Sequence, residues 1–376
     1  MAQARKNIST RNFKYWSDLH EKQELFEFND NPLGSLWLKT KSVARKDLIN
    51  DFAANANITL RSKTLQLQFM ELYNKLSEDV VGSHQRLDAY MKQINKTQLK
   101  KLGVKSLILE LFKLETFTWG GDQNNSLDKY LVSHYVKKIQ SYNILRSKFG
   151  TEISGIVQGY VLNSWYNHWS SIVIEHIFKS NPAVLPSVGQ IRGVDFFIND
   201  IPFDLKVTYL PNEYIKERRK AKGLPPELTF LKSRARKAQI PFDRDPKSDV
   251  RYQITEQMKA KNDKFSKATL TQLQTETLDI LKEAQRTPKL LTKWLYEHQG
   301  ELRFGSENRL FLVLVDSKDF TQSWKLKRNV GMLRPIVNKY LNSLKSRDLK
   351  KLEISYTFKK NPQVFKSLAD IIFVVR

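Results

Sequence analysis

The chain of 376 residues contains no cysteine. That excludes disulfides, thiol catalysis and cysteine-ligated zinc or iron–sulfur centres, and it fits an expected cytoplasmic setting. No apolar run approaches the roughly 18 residues that would span a bilayer. The six histidines show no His-Glu-x-x-His or comparable ligand spacing. Neither a Gly-x4-Gly-Lys-Ser/Thr loop nor a Gly-x-Gly-x-x-Gly fingerprint occurs, so nothing supports chemistry driven by a nucleoside triphosphate or a dinucleotide. Acid is also scarce: 39 Asp+Glu face 63 Lys+Arg, a formal charge of +24. A charge this large speaks to partners rather than to fold, and a polyanion is the expected one. An anionic membrane would need a basic amphipathic helix with a clean apolar face, and none stands out.

What is present centres on residues 193–208, Gly-Val-Asp-Phe-Phe-Ile-Asn-Asp-Ile-Pro-Phe-Asp-Leu-Lys-Val-Thr. This reads as two short strands joined at Asn199-Asp200, residue types that tolerate the positive φ of a tight hairpin turn. With those two at the centre of the turn, Ile198 faces Ile201, Phe197 faces Pro202, Phe196 faces Phe203 and Asp195 faces Asp204. The side-chain period of two puts Val194, Phe196, Ile198, Phe203, Leu205 and Val207 on one apolar face. The other face carries Asp195, Asp204 and Lys206, with Phe197 and Pro202 nearer the turn. Directly opposed residues have Cβ atoms about 5 Å apart, where two carboxylates repel unless a cation or proton lies between them.

An Asp opening one strand, followed by Asp-x-Lys on the next strand of a short hairpin, resembles the core of the PD-(D/E)XK, or restriction-endonuclease-like, nucleases. The resemblance covers roughly residues 171–208, and Val194 stands where the family motif has Pro. It implies that Asp195 and Asp204 ligate a divalent metal, Mg²⁺ with Mn²⁺ as a substitute, while Lys206 helps to activate or orient the attacking water. Family members often add an acid from the helix preceding the hairpin. Glu175, twenty residues ahead of Asp195, resembles that third ligand, with Glu152 as the alternative. The same residues also admit an ordinary exposed hairpin face with an Asp–Lys pair, and a Glu175 that is merely paired with a nearby base.

Elsewhere, apolar spacing predicts helices across about 46–114, 127–148 (closed by Gly150), 152–179, 251–286, 289–298 and 331–344. In the 152–179 helix the expected stripe is Leu162, Trp165, Tyr166, Trp169, Ile172, Val173 and Ile177, packed on a sheet. Residues 309–315 form the strongest buried-strand pattern, and 352–358 and 369–375 complete the strands. The expectation is therefore α/β: a mixed central sheet flanked by helices, in a domain at about 127–376, preceded by a mainly helical part at 1–120. The 119–126 loop separates them. The opening stretch, 1–17, is basic.

A basic insertion at about 209–300 follows the hairpin. Its clusters are Lys216, Arg218, Arg219, Lys220 and Lys222, then Lys232, Arg234, Arg236 and Lys237, with a polar loop at 241–249. These are the expected phosphate contacts. The reading that follows is a Mg²⁺-dependent endodeoxyribonuclease of the restriction or defence type, acting on double-stranded DNA and possible as a homodimer. A non-catalytic nucleic-acid-binding protein, or a nuclease acting on RNA or in repair, is the alternative.

Overall fold

The computed structural model describes residues 13–115, 127–243, 250–298, 305–345, 348–358 and 361–376. The expected 119–126 loop, most of the basic opening stretch and residues 244–249 of the polar loop lie outside the described residues. The described part is α/β, with helices on both faces of a six-stranded mixed sheet.

The sheet is ordered β1-β2-β3-β4-β6-β5. Its strands are β1 (Leu185–Ile191), β2 (Val194–Ile198), β3 (Ile201–Tyr209), β4 (Arg309–Val315), β5 (Glu353–Phe358) and β6 (Asn361–Val375). β1, β2 and β3 form an antiparallel meander, whereas β3, β4 and β6 run parallel, and β5 returns antiparallel to β6. The 309–315 run is the central strand. Leu310, Leu312 and Leu314 enter one core and Phe311, Val313 and Val315 the other. A strand buried on both faces shows no polar alternation, which is why its sequence is a continuous apolar run.

The helices in chain order are α1 (Phe13–Glu21), α2 (Pro32–Val43), α3 (Lys46–Asn55), α4 (Leu65–Leu76), α5 (Val80–Lys101), α6 (Val104–Phe112), α7 (Leu127–Leu131), α8 (Tyr142–Lys148) and α9 (Ser154–Lys179). They continue with α10 (Asn212–Ala221), α11 (Glu227–Lys237), α12 (Val250–Lys261), α13 (Lys264–Arg286), α14 (Pro288–His298) and α15 (Val330–Lys345). The early helices do not stand apart. Trp16, Trp37, Phe52, Tyr73 and Met91 share one core with Leu185, Ile191, Val194 and Phe197 of β1 and β2. α9 and α15 cover the opposite face, where Ile174, Ile177 and Phe178 meet Phe196, Ile198, Phe203 and Leu205.

The helical expectations need four corrections. The single helix expected over 127–148 is broken into α7, a π-turn at Val132–Val136 and α8. Gly150 does not cap it: a π-turn at Phe149–Ile153 carries the chain on into α9. In α9 the buried stripe is Gly159, Asn163, Tyr166, Ser170, Val173 and Ile177, steps of four and three, while Leu162 is exposed. Trp165 and Trp169 pack with Leu107, Leu111 and Trp324 rather than on the sheet. The 251–286 helix is two helices, because Asn262 adopts a left-handed φ of 54° and Asp263 caps α13 by accepting from Ser266 N.

The segment between β3 and β4 is first of all a crossover. Two neighbouring parallel strands cannot be joined by a tight turn. α10, α13 and α14 lie on the sheet through Tyr214, Ile280, Leu281 and Leu295, and α11 with α12 form a small separate cluster around Leu231 and Ile254.

Candidate active site

The hairpin forms in the expected register: Phe196 faces Phe203, Phe197 faces Pro202 and Ile198 faces Ile201. Asn199 and Asp200 take φ of 49° and 66°, the left-handed pair that a two-residue turn needs. Continued by one step, the register sets Asp195 opposite Asp204. The face opposite the apolar one is not open along its length, since Phe197 is buried under the N-terminal helices, and Val194, expected on the apolar face with Phe196, packs in that N-terminal core instead. The carboxylates lie two residues further from the turn than Phe197 and Pro202.

Asp204 is buried and held on both oxygens. Lys206 Nζ donates to Oδ1 at 3.0 Å, and Arg309 Nε donates to Oδ2 at 3.0 Å. Arg309 opens β4, whose parallel register places it beside Asp204. Its guanidinium also reaches Glu307 Oε2 at 3.2 Å and lies over the Tyr296 ring. Burial pushes the Glu307 carboxyl up, and Arg309 opposes that shift. Gly193, at φ +76°, makes room for this arrangement, because a Cβ there would stand 2.7 Å from Glu307 Cγ and 2.9 Å from Leu25 Cδ1. Sequence reasoning missed Arg309 and Glu307. The signal was Glu307 two residues ahead of Arg309, the one charge at the head of an otherwise all-apolar strand.

Asp195 is in a different position. Among the described residues its one hydrogen bond is from Leu205 N, at 2.7 Å to Oδ2. Its carboxyl is pushed up to about 6, first by burial and then by the Asp204 charge. The Leu205 N–H opposes this, Glu175 adds to it, and Lys206 opposes it. Glu175, on the last turns of α9, lines one open cleft of about 560 Å³ with Asp195, Lys179, Arg45, Gln98 and Arg192. It is paired with Lys179 at 2.9 Å. Glu152 is far from this cleft: it lies in the π-turn before α9, roughly 35 Å along the chain from Glu175 at 1.5 Å per residue, and pairs with Lys148.

The donor set fits a hard divalent cation, being all oxygen with two mutually repelling carboxylates. Asp195, Asp204 and Glu175 are nonetheless not a closed ligand cage. Among the described residues, the group of three acid or histidine side chains with ligand atoms within 4.8 Å of one another is His84, Asp88 and Asp200. There the fully buried Lys39 already supplies the cation, with Nζ 3.0 Å from His84 Nδ1, 2.6 Å from Asp88 Oδ1 and 2.5 Å from Asp200 Oδ1. That cluster ties α2 and α5 to the hairpin turn.

The expected phosphate contacts divide sharply. Arg219 is fully buried, donating to Glu276 at 2.7 Å and to the Pro225 carbonyl at 2.9 Å, so it is a structural residue of the crossover and not a phosphate contact. Arg218 and Lys222 are both committed to Glu283, and Lys216 pairs with Glu213. Arg234 lies over the Phe230 and Phe265 rings. Lys220, Arg236 and Lys237 are exposed, and Lys232 is half-buried. No helix among the described residues is long and apolar enough to cross a membrane.

No protein-family model, no curated protein and no solved structure matches the chain.

Proposed function

We propose that the protein is a Mg²⁺-dependent endodeoxyribonuclease built on a restriction-endonuclease-like core, with its centre at Asp195, Asp204 and Lys206 and with Glu175 as an outer acid. The observation that carries this reading is the placement of Asp195: the hairpin register sets it opposite Asp204, one backbone N–H holds it, and it lines an open cleft with Glu175, Lys179, Arg45 and Arg192. A divalent ion bound there would polarise the scissile phosphate and acidify a bound water. Asp195 offers its second oxygen and Asp204 its remaining lone pairs, since each carboxylate accepts about four hydrogen bonds or ligands. Arg309, beside Asp204 across the parallel register, fixes one of its carboxylate oxygens. Lys206, half-exposed and two residues along the same strand, neutralises charge that develops on the phosphate.

A second reading has its own observation. Both oxygens of Asp204 are engaged by cations, and a complete Lys206–Asp204–Arg309–Glu307 chain is also what a purely structural ion network looks like. In that case the protein binds nucleic acid without cutting it.

The two readings separate in one assay. Supercoiled plasmid and a matched RNA are incubated with wild type and Asp204→Ala, in Mg²⁺ and in EDTA. The nuclease reading expects Mg²⁺-dependent nicking or linearisation of the plasmid that is lost in the variant. Intact plasmid under all conditions, with salt-sensitive binding shared by both proteins, would establish the binding reading. Cleavage of the RNA alone would keep the centre and change the substrate.

A further inference from the structure

The cleft that holds Glu175 and Asp195 has a second wall, and it is cationic. Arg45 immediately precedes α3, Arg192 lies in the turn between β1 and β2, and Gln98 comes from α5; all three line the cleft. The Arg45 guanidinium donates to the Gln190 carbonyl, which anchors its stem against the end of β1. Both arginines are exposed, and neither has a carboxylate partner among the described residues. The first cluster of the insertion contrasts with this, because Arg218, Arg219 and Lys222 are spent on Glu276 and Glu283.

We propose that Arg45 and Arg192, with Gln98 as a neutral donor, form a phosphate-binding subsite that grips the DNA backbone next to the cleaved bond. The substrate then runs along the N-terminal helices rather than over the insertion. This rests on the nuclease reading for its position relative to the reaction, but not for its chemistry. An exposed arginine fork without an acid matches phosphate geometry, and each phosphate neutralised releases counterions. The two arginines also act on neighbouring groups, second to burial. Burial and then Arg45 hold the Lys41 ammonium down, with Glu21 opposing. Burial, then Lys41, hold the His20 imidazole at about 4, with Arg192 adding through its charge and opposing through its backbone.

The test is binding of a labelled DNA duplex in EDTA across a salt series, read by fluorescence anisotropy. Wild type is compared with Arg45→Ala/Arg192→Ala and with Lys220→Ala/Lys237→Ala in the insertion. Removing two phosphate contacts should lower the slope of log K against log salt by about 1.8, at roughly 0.9 per phosphate on a duplex. The insertion variant should lose less. Should the first variant misfold by circular dichroism, Arg192→Ala alone, which leaves the Arg45 anchor in place, should lower the slope by about 0.9. An unchanged slope in a folded arginine variant, or a larger loss from the insertion variant, overturns the subsite. Plasmid cleavage by the same preparations keeps the two claims apart. Cutting by wild type with an unchanged slope in the variant sinks the subsite alone. A lowered slope with no cutting by any protein sustains the subsite and sinks the nuclease reading.

Discussion

Two groups of acids sit at opposite ends of one hairpin. At the turn, Asp200 joins Asp88 and His84 around the buried Lys39 ammonium, so the cation is part of the chain. At the other end, Asp204 takes both nearby cations, and Asp195 is left with a single backbone N–H and two repelling neighbours. By ligand spacing alone the first group looks more like a metal site. By pairing the second does, because there a half-buried carboxylate, Asp195, has no ion-pair partner among the described residues. The comparison teaches that clustered carboxylates identify a cation site only once the cations already present have been counted.

The largest effect should come from the deficient end. Asp204→Ala removes the carboxylate fixed by Arg309, and plasmid cleavage should fall by about 10²–10³-fold, the size of losing one preorganised contact to developing charge. Cleavage retained within a few-fold would move the reacting centre away from Asp204 and erase the contrast.

Next is the self-sufficient end. Lys39→Met leaves Asp88 and Asp200 without their ammonium. Removing one partner of a buried pair costs about 3–5 kcal/mol; the partial exposure of both acids brings the expected loss to about 2–3 kcal/mol in urea unfolding. The variant should also acquire what wild type lacks, a Tm that rises on addition of Zn²⁺, because His84, Asp88 and Asp200 then have room for an ion. A Zn²⁺-insensitive variant would mean that the three side chains need Lys39 to hold them together.

How far the sequence alone reaches also follows from this contrast. The hairpin register was legible because Asn199-Asp200 fixes the turn, and the alternation of Phe196, Ile198, Phe203 and Leu205 leaves one way to bury the apolar face. β4 was legible from its length and its unbroken apolar run. β1 was not: Leu-Pro-Ser-Val-Gly-Gln-Ile lacks strand alternation, and it is a strand because α2 and α5 pack on it. A Cβ at Gly189 would stand 2.4 Å from the Ser42 carbonyl oxygen. Arg309 beneath Asp204 was invisible for a related reason, since the two are about a hundred residues apart and meet only through a parallel register that no local pattern encodes. The insertion misled because a run of cations shows nothing of the acids on α13 that neutralise it. Arg219 and Glu276 are partners only once α10 and α13 are side by side.

The smallest and most diagnostic effect is the pH dependence of Asp195. Its folded value, near 6, lies above the ordinary 3.8, so the folded protein holds this proton more tightly than the unfolded chain does. For stability the sign is unfavourable on the alkaline side. Below about 3.8 both states are protonated and nothing is lost; as pH rises towards 6 the fold loses stability, and above 6 the full penalty applies. A bound cation reverses this, because it ligates only the ionised carboxylate. Added Mg²⁺ should therefore raise Tm at pH 7.5 and progressively less as pH falls through 6. The Mg²⁺ concentration for half-maximal cleavage should rise about tenfold for each pH unit below 6, the consequence of one competing proton. Asp195→Asn should abolish the Mg²⁺ response at every pH while making the metal-free fold more stable above pH 6, since the repulsion with Asp204 goes with the charge. At the Lys39 end the ammonium is bonded to both carboxylates, so Asp200→Asn removes an attraction and should lose stability under the same conditions, and opposite signs for the two substitutions would complete the distinction between them.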